Sequence, residues 1–234
     1  ERLEIMALKL LLFDLDGTLL DTMADLTAAT NAALASFGFG AMTEATCKQL
    51  VGNGARVLMR RALNQAAADG AQLNQATAEP TDSELVAAFN REYENRWHDK
   101  TEPYPGIMEM LISLKSAGFR LAIISNKPDP FTRKIAAHFF PEIGFEMVTG
   151  MQPDRPAKPD PTLALEICQL TGFSPAETAL IGDSAVDMKT AVAAAIMPIG
   201  VTWGFRERDE LLANGAKYLV DSAEALTALL TSGI

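Results

Sequence analysis

Cysteine is scarce in this 234-residue chain, and the two present, Cys47 and Cys168, have neither C-x-x-C spacing nor the company that a disulfide framework needs. Free thiols in a reducing compartment, the cytoplasm, are the expectation. Basic charge is also short: 20 Lys and Arg face 30 Asp and Glu, and the net charge of −10 argues against nucleic acid or an anionic membrane surface as a general partner. Any phosphate must then be held locally. Long apolar runs are missing as well. The longest near the N-terminus, Ile5 to Phe13, is broken by Lys9 and falls far below the about 18 residues of a membrane span. Neither a signal peptide nor a transmembrane helix is read from it. Histidine is rare, and neither His98 nor His138 lies in a motif, so neither is given a catalytic role. What remains is globular material, 48% hydrophobic and 21% charged, which excludes disorder and fibrous repeats and suffices for one large domain or two modest ones.

Periodicity organises the chain into two parts. Leu8 to Phe13 is a short apolar block that stops at an Asp/Gly/Thr cluster, as a buried strand entering a functional loop would. Behind Asp21 as N-cap, Met23, Leu26, Ala29, Ala33, Leu34 and Phe37 recur at helical spacing. Two more helical stretches follow, Thr43 to Leu63 with a break near Gly52 and Gly54, and Asp82 to about His98. Between them, Asn64 to Pro80 is rich in Ala, Gln and Asn and reads as a surface connection or frayed helix ends. Beyond the Pro/Gly hinge at Thr101 to Gly106, strands at 119–125, 145–149, 178–182, 198–201 and 218–220 alternate with helices at 107–117, 129–139, 161–171, 185–195, 207–213 and 222–231. Such alternation implies an α/β fold, a Rossmann-like parallel sheet with helices on both faces and ligands beyond the carboxyl ends of the strands. The expected division is a core of residues 1–20 and 102–234 with an inserted all-helical cap, residues 21–101, hinged at both ends as a lid would be.

Four sites carry chemistry. In Phe13-Asp14-Leu15-Asp16-Gly17-Thr18 two carboxylates stand two residues apart just past a strand, where extended chain points them the same way and repulsion separates their pKa values into nucleophile and acid. In Gly182-Asp183-Ser184-Ala185-Val186-Asp187 two acids at i and i+4 open a helix; a cation would relieve their repulsion, and oxygen-only donors suit Mg²⁺, with Asp183 the better placed ligand. Ser125-Asn126-Lys127-Pro128 follows a strand and offers a hydroxyl and backbone N–H groups to an anion. Lys158, biased out of helical conformation by Pro159, presents an ammonium that would neutralise an incoming phosphoryl group. Each alone also reads as an ordinary turn, cap or solvated lysine. Together they fall on one edge of one sheet, and the joint inventory is that of phosphoryl transfer.

These residues resemble the haloacid dehalogenase superfamily of phosphohydrolases, whose four motifs match in order as FDLDGT (13–18), SN (125–126), K (158) and GDSAVD (182–187). The insertion after the first motif resembles the helical cap class. The stretches Val51 to Ala55, Ser125 to Pro128 and Val201 to Phe205 resemble those of bacterial phosphoglycolate phosphatases. The resemblance implies Asp14 as nucleophile forming an aspartyl-phosphate, and Asp16 as the acid, then base. It implies Mg²⁺ between Asp14, Asp183 and the Asp16 backbone carbonyl, with Asp187 orienting the metal's water shell or Lys158. Ser125, Asn126 and Lys158 would bind phosphoryl oxygens, Lys158 also restraining Asp14, and Thr18 would support the loop. The substrate implied is a small phosphorylated metabolite, 2-phosphoglycolate first, with another small phosphoester, a sugar phosphomutase reaction, or a non-catalytic phosphate-binding regulatory module as rivals. No nucleic acid or membrane partner is implied, and the chain is read as monomer or homodimer. In the cap, Asn53 and Arg56 lie near the Gly52/Gly54 break, and Arg56 is assigned to a substrate carboxylate. Trp97, His98 and Trp203 are read as packing or hinge residues. Many relatives have Ala-Gly after the fourth-motif helix where this chain has Ala195-Ile196, so that helix end is expected to be capped differently.

Overall fold

The computed structural model describes residues 8–68 and 79–232. The chain forms two compact units, Glu1–Asp21 with Pro103–Ile234, and Thr22–Glu102. The first is built on the apolar run read from the sequence. Leu10–Phe13 forms strand β1, whose four side chains are all fully buried, as befits a strand covered on both faces. A two-residue strand, β2 (Leu20–Asp21), follows, and helices α1 to α4 of the second unit intervene before β3 (Glu102–Pro103). The core then runs α5 (Ile107–Ser116), β4 (Arg120–Pro128), α6 (Asp129–Phe139), β5 (Met147–Met151), α7 (Thr162–Thr171), β6 (Thr178–Gly182), α8 (Ala185–Ala193), β7 (Met197–Val201), α9 (Arg208–Ala213), β8 (Tyr218–Val220) and α10 (Ala223–Thr231). Six strands make one parallel sheet in the order β5-β4-β1-β6-β7-β8, flanked by helices. This is the α/β architecture the alternation implies.

Strand β1 lies in the middle, with Leu10 beside Arg120 of β4 and Thr178 of β6. Leu10 and Leu12 share a cluster with Ala122, Ile124, Leu163, Ile167, Leu180 and Ala191, so α7 and α8 cover one face. The consequence is positional: Phe13, Ile124 and Gly182 carry the chain to the same edge, and the residues that follow them meet there.

Three local details depart from the sequence reading. The cap of α1 is Thr22, not Asp21, because Asp21 is still extended in β2. Strand β4 runs to Pro128 instead of stopping at Ser125. Its pairing with β5 breaks after Ile124 and resumes at Pro128–Met151, so Ser125, Asn126 and Lys127 sit in an irregularity that re-aims side chains. The third concerns the end of α8, which ends without a glycine. Ala195 takes the left-handed conformation itself, φ +54°, with its N–H on Val192 O at 3.2 Å, the Ile196 N–H on Ala191 O at 2.9 Å, and Ile196 buried. That is a Schellman termination with alanine in the position glycine favours. Ala195→Gly should therefore raise stability by about 1 kcal/mol, since a Cβ is disfavoured there by slightly more than glycine's extra freedom in the unfolded chain. A calorimetric Tm about 2–4 °C higher is the expected reading.

The second unit is helical throughout its described residues: α1 (Met23–Ala35), α2 (Glu44–Leu50), α3 (Ala55–Ala68) and α4 (Asp82–Glu94). Buried apolar residues line α1, α3 and α4, and α2 and α4 carry side-chain start signals. Thr43 caps α2 through the Thr46 N–H, and Thr81 with Glu84 forms a reciprocal capping box on α4. Leu26, Leu34, Leu58, Met59, Leu85 and Phe89 fill the interior, with Phe89 stacked on Tyr93 at 5.4 Å. The buried Asp25 carboxylate accepts from the Lys100 and Thr101 N–H groups and the Thr101 hydroxyl, fastening the unit's last residues to its first helix. Helix α3 extends through Ala68, so Asn64 to Ala68 is helix proper, while residues 69–78 of the expected connection lie outside the described residues. No helix among the described residues is long and apolar enough to cross a membrane. Both cysteines are buried and outside any disulfide.

Candidate active site

The loop after β1 is fixed before any side chain acts. Asp14 N–H bonds Ile181 O on β6 at 2.9 Å, while Leu15 O accepts from both Leu19 and Leu20 N–H at 3.0 Å, closing a tight turn. Gly17 (φ +86°) makes that turn feasible, and a Cβ there would collide with the Asp183 carboxylate. Gly204 is constrained from the other side: its Cβ would run into Asp183 and the Gly17 carbonyl. Asp183 is thus wedged between two loops that only glycine lets approach. Its Oδ2 accepts the Phe205 N–H at 2.6 Å and its Oδ1 the Thr18 hydroxyl at 3.3 Å. Trp203 ties the same loops together, its indole N–H on Thr18 O at 3.0 Å.

Lys158 occupies the centre. Its side chain is 2% exposed, and its Nζ lies 3.0 Å from Asp14 Oδ1 and 2.6 Å from Asp187 Oδ1, with a third bond to Ile124 O at 3.0 Å. Asn126 holds the backbone behind it, its carbonyl oxygen accepting the Lys158 N–H and its amide donating to Lys158 O, both at 2.9 Å. Asp187 is equally confined. Ser184, not Asp183, caps α8, and Asp187 three residues later accepts from the Ser184 N–H at 3.1 Å and hydroxyl at 2.6 Å. The two acids of the fourth motif therefore do not share a helix face: Asp183 precedes the helix, and Asp187 folds back over its cap.

A second buried lysine stands at the other carboxylate of the first motif. Lys127, 4% exposed, places its Nζ 2.9 Å from both oxygens of Asp16. The Ser125 hydroxyl accepts the Lys127 N–H at 3.1 Å, within the irregular end of β4. Lys127 lies inside the motif that begins at Ser125 without a part assigned to it there; spacing could have flagged it, as the one basic residue two positions past Ser125 on a strand that stays extended.

Charge is out of balance here. Four carboxylates, Asp14, Asp16, Asp183 and Asp187, outnumber the buried ammonium groups of Lys127 and Lys158, with Arg206 acting on Asp183 as well. Burial, with Asp187 and Asp16 adding to it, pushes Asp14 up to about 7 against the pull of Lys158. Burial and the neighbouring Asp187 and Asp14 likewise raise Asp183 well above the carboxylate range. Burial opposes the charge on Lys158, but Asp14 and Asp187 outweigh it and hold the lysine firmly protonated. Burial, then Asp21, Asp183 and Asp16, also raises the nearby Tyr104 phenol. Asp14, Asp183 and Asp187 each offer an oxygen within 4.8 Å of the others, a hard donor set whose negative charge a divalent cation would offset.

Asp14, Asp16, Thr18, Ser125, Asn126, Lys158, Asp183 and Asp187 are all in the first unit: in the loops after β1 and β6, the irregular end of β4, the segment leading to α7 and the first turn of α8. Arg56 belongs to the second unit, where it is exposed in the first turn of α3, while Asn53 accepts from Arg61 at 3.1 Å.

A parallel α/β sheet with clustered carboxylates and a buried lysine at its carboxyl edge is the equipment of an enzyme that handles phosphoryl groups. Residues 11–201 match the family model described as haloacid dehalogenase-like hydrolase, and the chain belongs to that family. Phosphoglycolate phosphatase 1 of Pseudomonas aeruginosa is 34% identical over 218 residues, covering 93% of this chain and 78% of the relative. Phosphoglycolate phosphatase of Vibrio vulnificus is 31% identical over 226 residues, 96% of this chain and 97% of the relative. A crystal structure from Lactobacillus delbrueckii subsp. bulgaricus, provisionally named a phosphoglycolate phosphatase, superposes with a TM-score of 0.86 at 32% identity, covering 95% and 98% of the two chains. The protein is an enzyme of this family's phosphatase kind.

Proposed function

We propose that the protein is a Mg²⁺-dependent phosphomonoesterase that hydrolyses 2-phosphoglycolate to glycolate and inorganic phosphate through an aspartyl-phosphate. The observation that carries this reading is the pairing of Asp14 with Lys158 at 3.0 Å, a carboxylate oriented by a buried ammonium at the carboxyl edge of the central strand, with Asp16 two residues on. In this reading an Asp14 oxygen attacks phosphorus and the ester oxygen leaves with a proton from Asp16. Asp16 then takes a proton from water, whose oxygen attacks the same phosphorus, releasing phosphate and restoring the Asp14 carboxylate. Lys158 keeps Asp14 in line and meets a phosphoryl oxygen, Ser125 and Asn126 line the phosphoryl pocket, and Thr18 steadies the loop. Asn126 contributes above all by fixing the Lys158 backbone.

The donor set fits Mg²⁺. Asp14, Asp183 and the Asp16 carbonyl are assigned as its ligands, and Asp187, with both oxygens already bonded to Ser184 and Lys158, as an indirect support. When bound, the cation supplies electrostatic stabilisation of the charge gathering on the phosphoryl oxygens. The Thr22–Glu102 unit is assigned the cap role and the Arg56 side chain one oxygen of the substrate carboxylate.

The test is phosphate release from 2-phosphoglycolate beside a panel of sugar and nucleotide monophosphates, with Mg²⁺ and with EDTA. The expected result is EDTA-sensitive turnover with kcat/KM for 2-phosphoglycolate about a hundredfold above the panel, about 2.7 kcal/mol of discrimination. A different leading ester overturns the substrate, phosphate appearing on a sugar points to a mutase, and binding without turnover points to a regulatory module.

A further inference from the structure

We propose that Lys127 is a specificity-determining residue, exchanging one of its bonds to Asp16 for the carboxylate of the substrate's alcohol portion. Esters of small hydroxy acids are thereby selected over esters of neutral alcohols. The inference rests on the phosphatase reading above and deepens it.

Lys127 is placed for this role by the backbone. The register of β4 against β5 breaks between Ile124 and Pro128, and the Ser125 hydroxyl accepts the Lys127 N–H, so the residue is set in a built irregularity and not on a loose loop. Its ammonium is nearly excluded from water and spans both Asp16 oxygens at 2.9 Å. Asp16 is the group assigned to the leaving oxygen. An oxygen within hydrogen-bonding reach of Asp16, about 2.7 Å, therefore lies within about 5.6 Å of the Lys127 Nζ. In a phosphorylated α-hydroxy acid the carboxylate carbon is two bonds, about 2.5 Å, from that same oxygen. A carboxylate there falls within reach of the ammonium without moving the backbone.

Charge favours the exchange. Lys158 is already committed to Asp14, Asp187 and Ile124 O. A substrate carboxylate entering beside the leaving-group acid therefore meets Lys127, the other buried ammonium of the site. A lysine suits the exchange because its ammonium is a point charge with three rotatable donors on a flexible stem, so releasing one Asp16 oxygen need not release the other.

The experiment compares 2-phosphoglycolate with ethyl phosphate, which has the same chain length and lacks the carboxylate. Wild type, Lys127→Met and Lys127→Arg are assayed with saturating Mg²⁺. The ratio of the two kcat/KM values does not depend on how much of each preparation is folded. The expected result is a ratio at least tenfold lower in Lys127→Met, arising mainly from KM for 2-phosphoglycolate, and partly restored in Lys127→Arg. An unchanged ratio, whether both substrates slow equally or neither does, overturns the proposal and leaves Lys127 as a support for Asp16 at most. A wild type that hydrolyses 2-phosphoglycolate with an unchanged ratio in the variant overturns this inference alone. A wild type that fails to hydrolyse 2-phosphoglycolate overturns the functional reading and this inference with it.

Discussion

Asp14→Asn is expected to abolish turnover, lowering kcat by at least about 10⁴-fold, about 5.5 kcal/mol in the barrier. An amide oxygen carries no charge with which to displace an alkoxide from phosphorus, and no neighbouring carboxylate can replace it. Asp16 is bonded at both oxygens to Lys127, Asp187 is bonded to Ser184 and Lys158, and Asp183 is held by Thr18 and Phe205. The loss should come without unfolding. Burial already raises Asp14 to about 7 in the metal-free protein, so a neutral side chain of the same shape is well tolerated, and Lys158 keeps Asp187 as its charged partner. A stopped assay for phosphate, with a thermal melt of the same preparation, checks both halves. Turnover within tenfold of wild type would remove Asp14 as nucleophile.

Asp183→Asn should separate metal binding from folding. In wild type, Mg²⁺ at a hundred times its Kd should raise stability by about 2.7 kcal/mol, a Tm about 5–10 °C higher, whereas the variant should show neither that shift nor activity. In EDTA the order reverses: the variant should melt no lower than wild type, because the substitution removes a buried charge from a crowded cluster while an amide can still accept the Phe205 N–H. The same crowding sets a pH dependence. Asp14 lies near 3.8 when unfolded and about 7 when folded, so the metal-free folded state binds its proton more tightly. Its contribution to stability in EDTA grows as pH falls through about 7 and levels off near 3.8. Saturating Mg²⁺ should suppress this trend. A variant that still gains stability from Mg²⁺ would place the metal elsewhere.

The carboxyl-edge cluster was legible because each member follows a strand whose apolar block stops at polar residues. Phe13 gives way to Asp14, and Gly182 to Asp183, so strand ends alone bring those acids together. Lys158 was legible by the company it keeps with Pro159 and its place before α7. What stayed hidden depends on features with no local signature. The irregular end of β4 that sets Lys127 against Asp16 is decided by pairing with β5, 111 positions of chain separating the two bonded residues. The backbone N–H of Phe205 reaches Asp183 because glycines at 17 and 204 leave room, which no spacing rule records. The Ala195 cap escaped for the opposite reason: the residue type argued against a left-handed conformation, and the bonds to Ala191 and Val192 imposed it. In the helical unit, where Thr81 and Glu84 announce a cap, local signals were enough.

The central position of β1 also shapes how the molecule is made. Leu10–Phe13 is made well before both its partner strands: Lys9 and Glu177, joined across the base of β1 and β6, stand 168 positions apart. At about 5–20 residues per second, four consecutive apolar residues wait on the order of ten to thirty seconds before the second of their two hydrogen-bonding edges can be covered. The helices between Met23 and Glu94 have local contacts and can form meanwhile, while β1 has neither sheet neighbour until β4 emerges and is enclosed only after β6. The strand that leads to Asp14 is therefore open to misassociation during synthesis until its sheet neighbours are made.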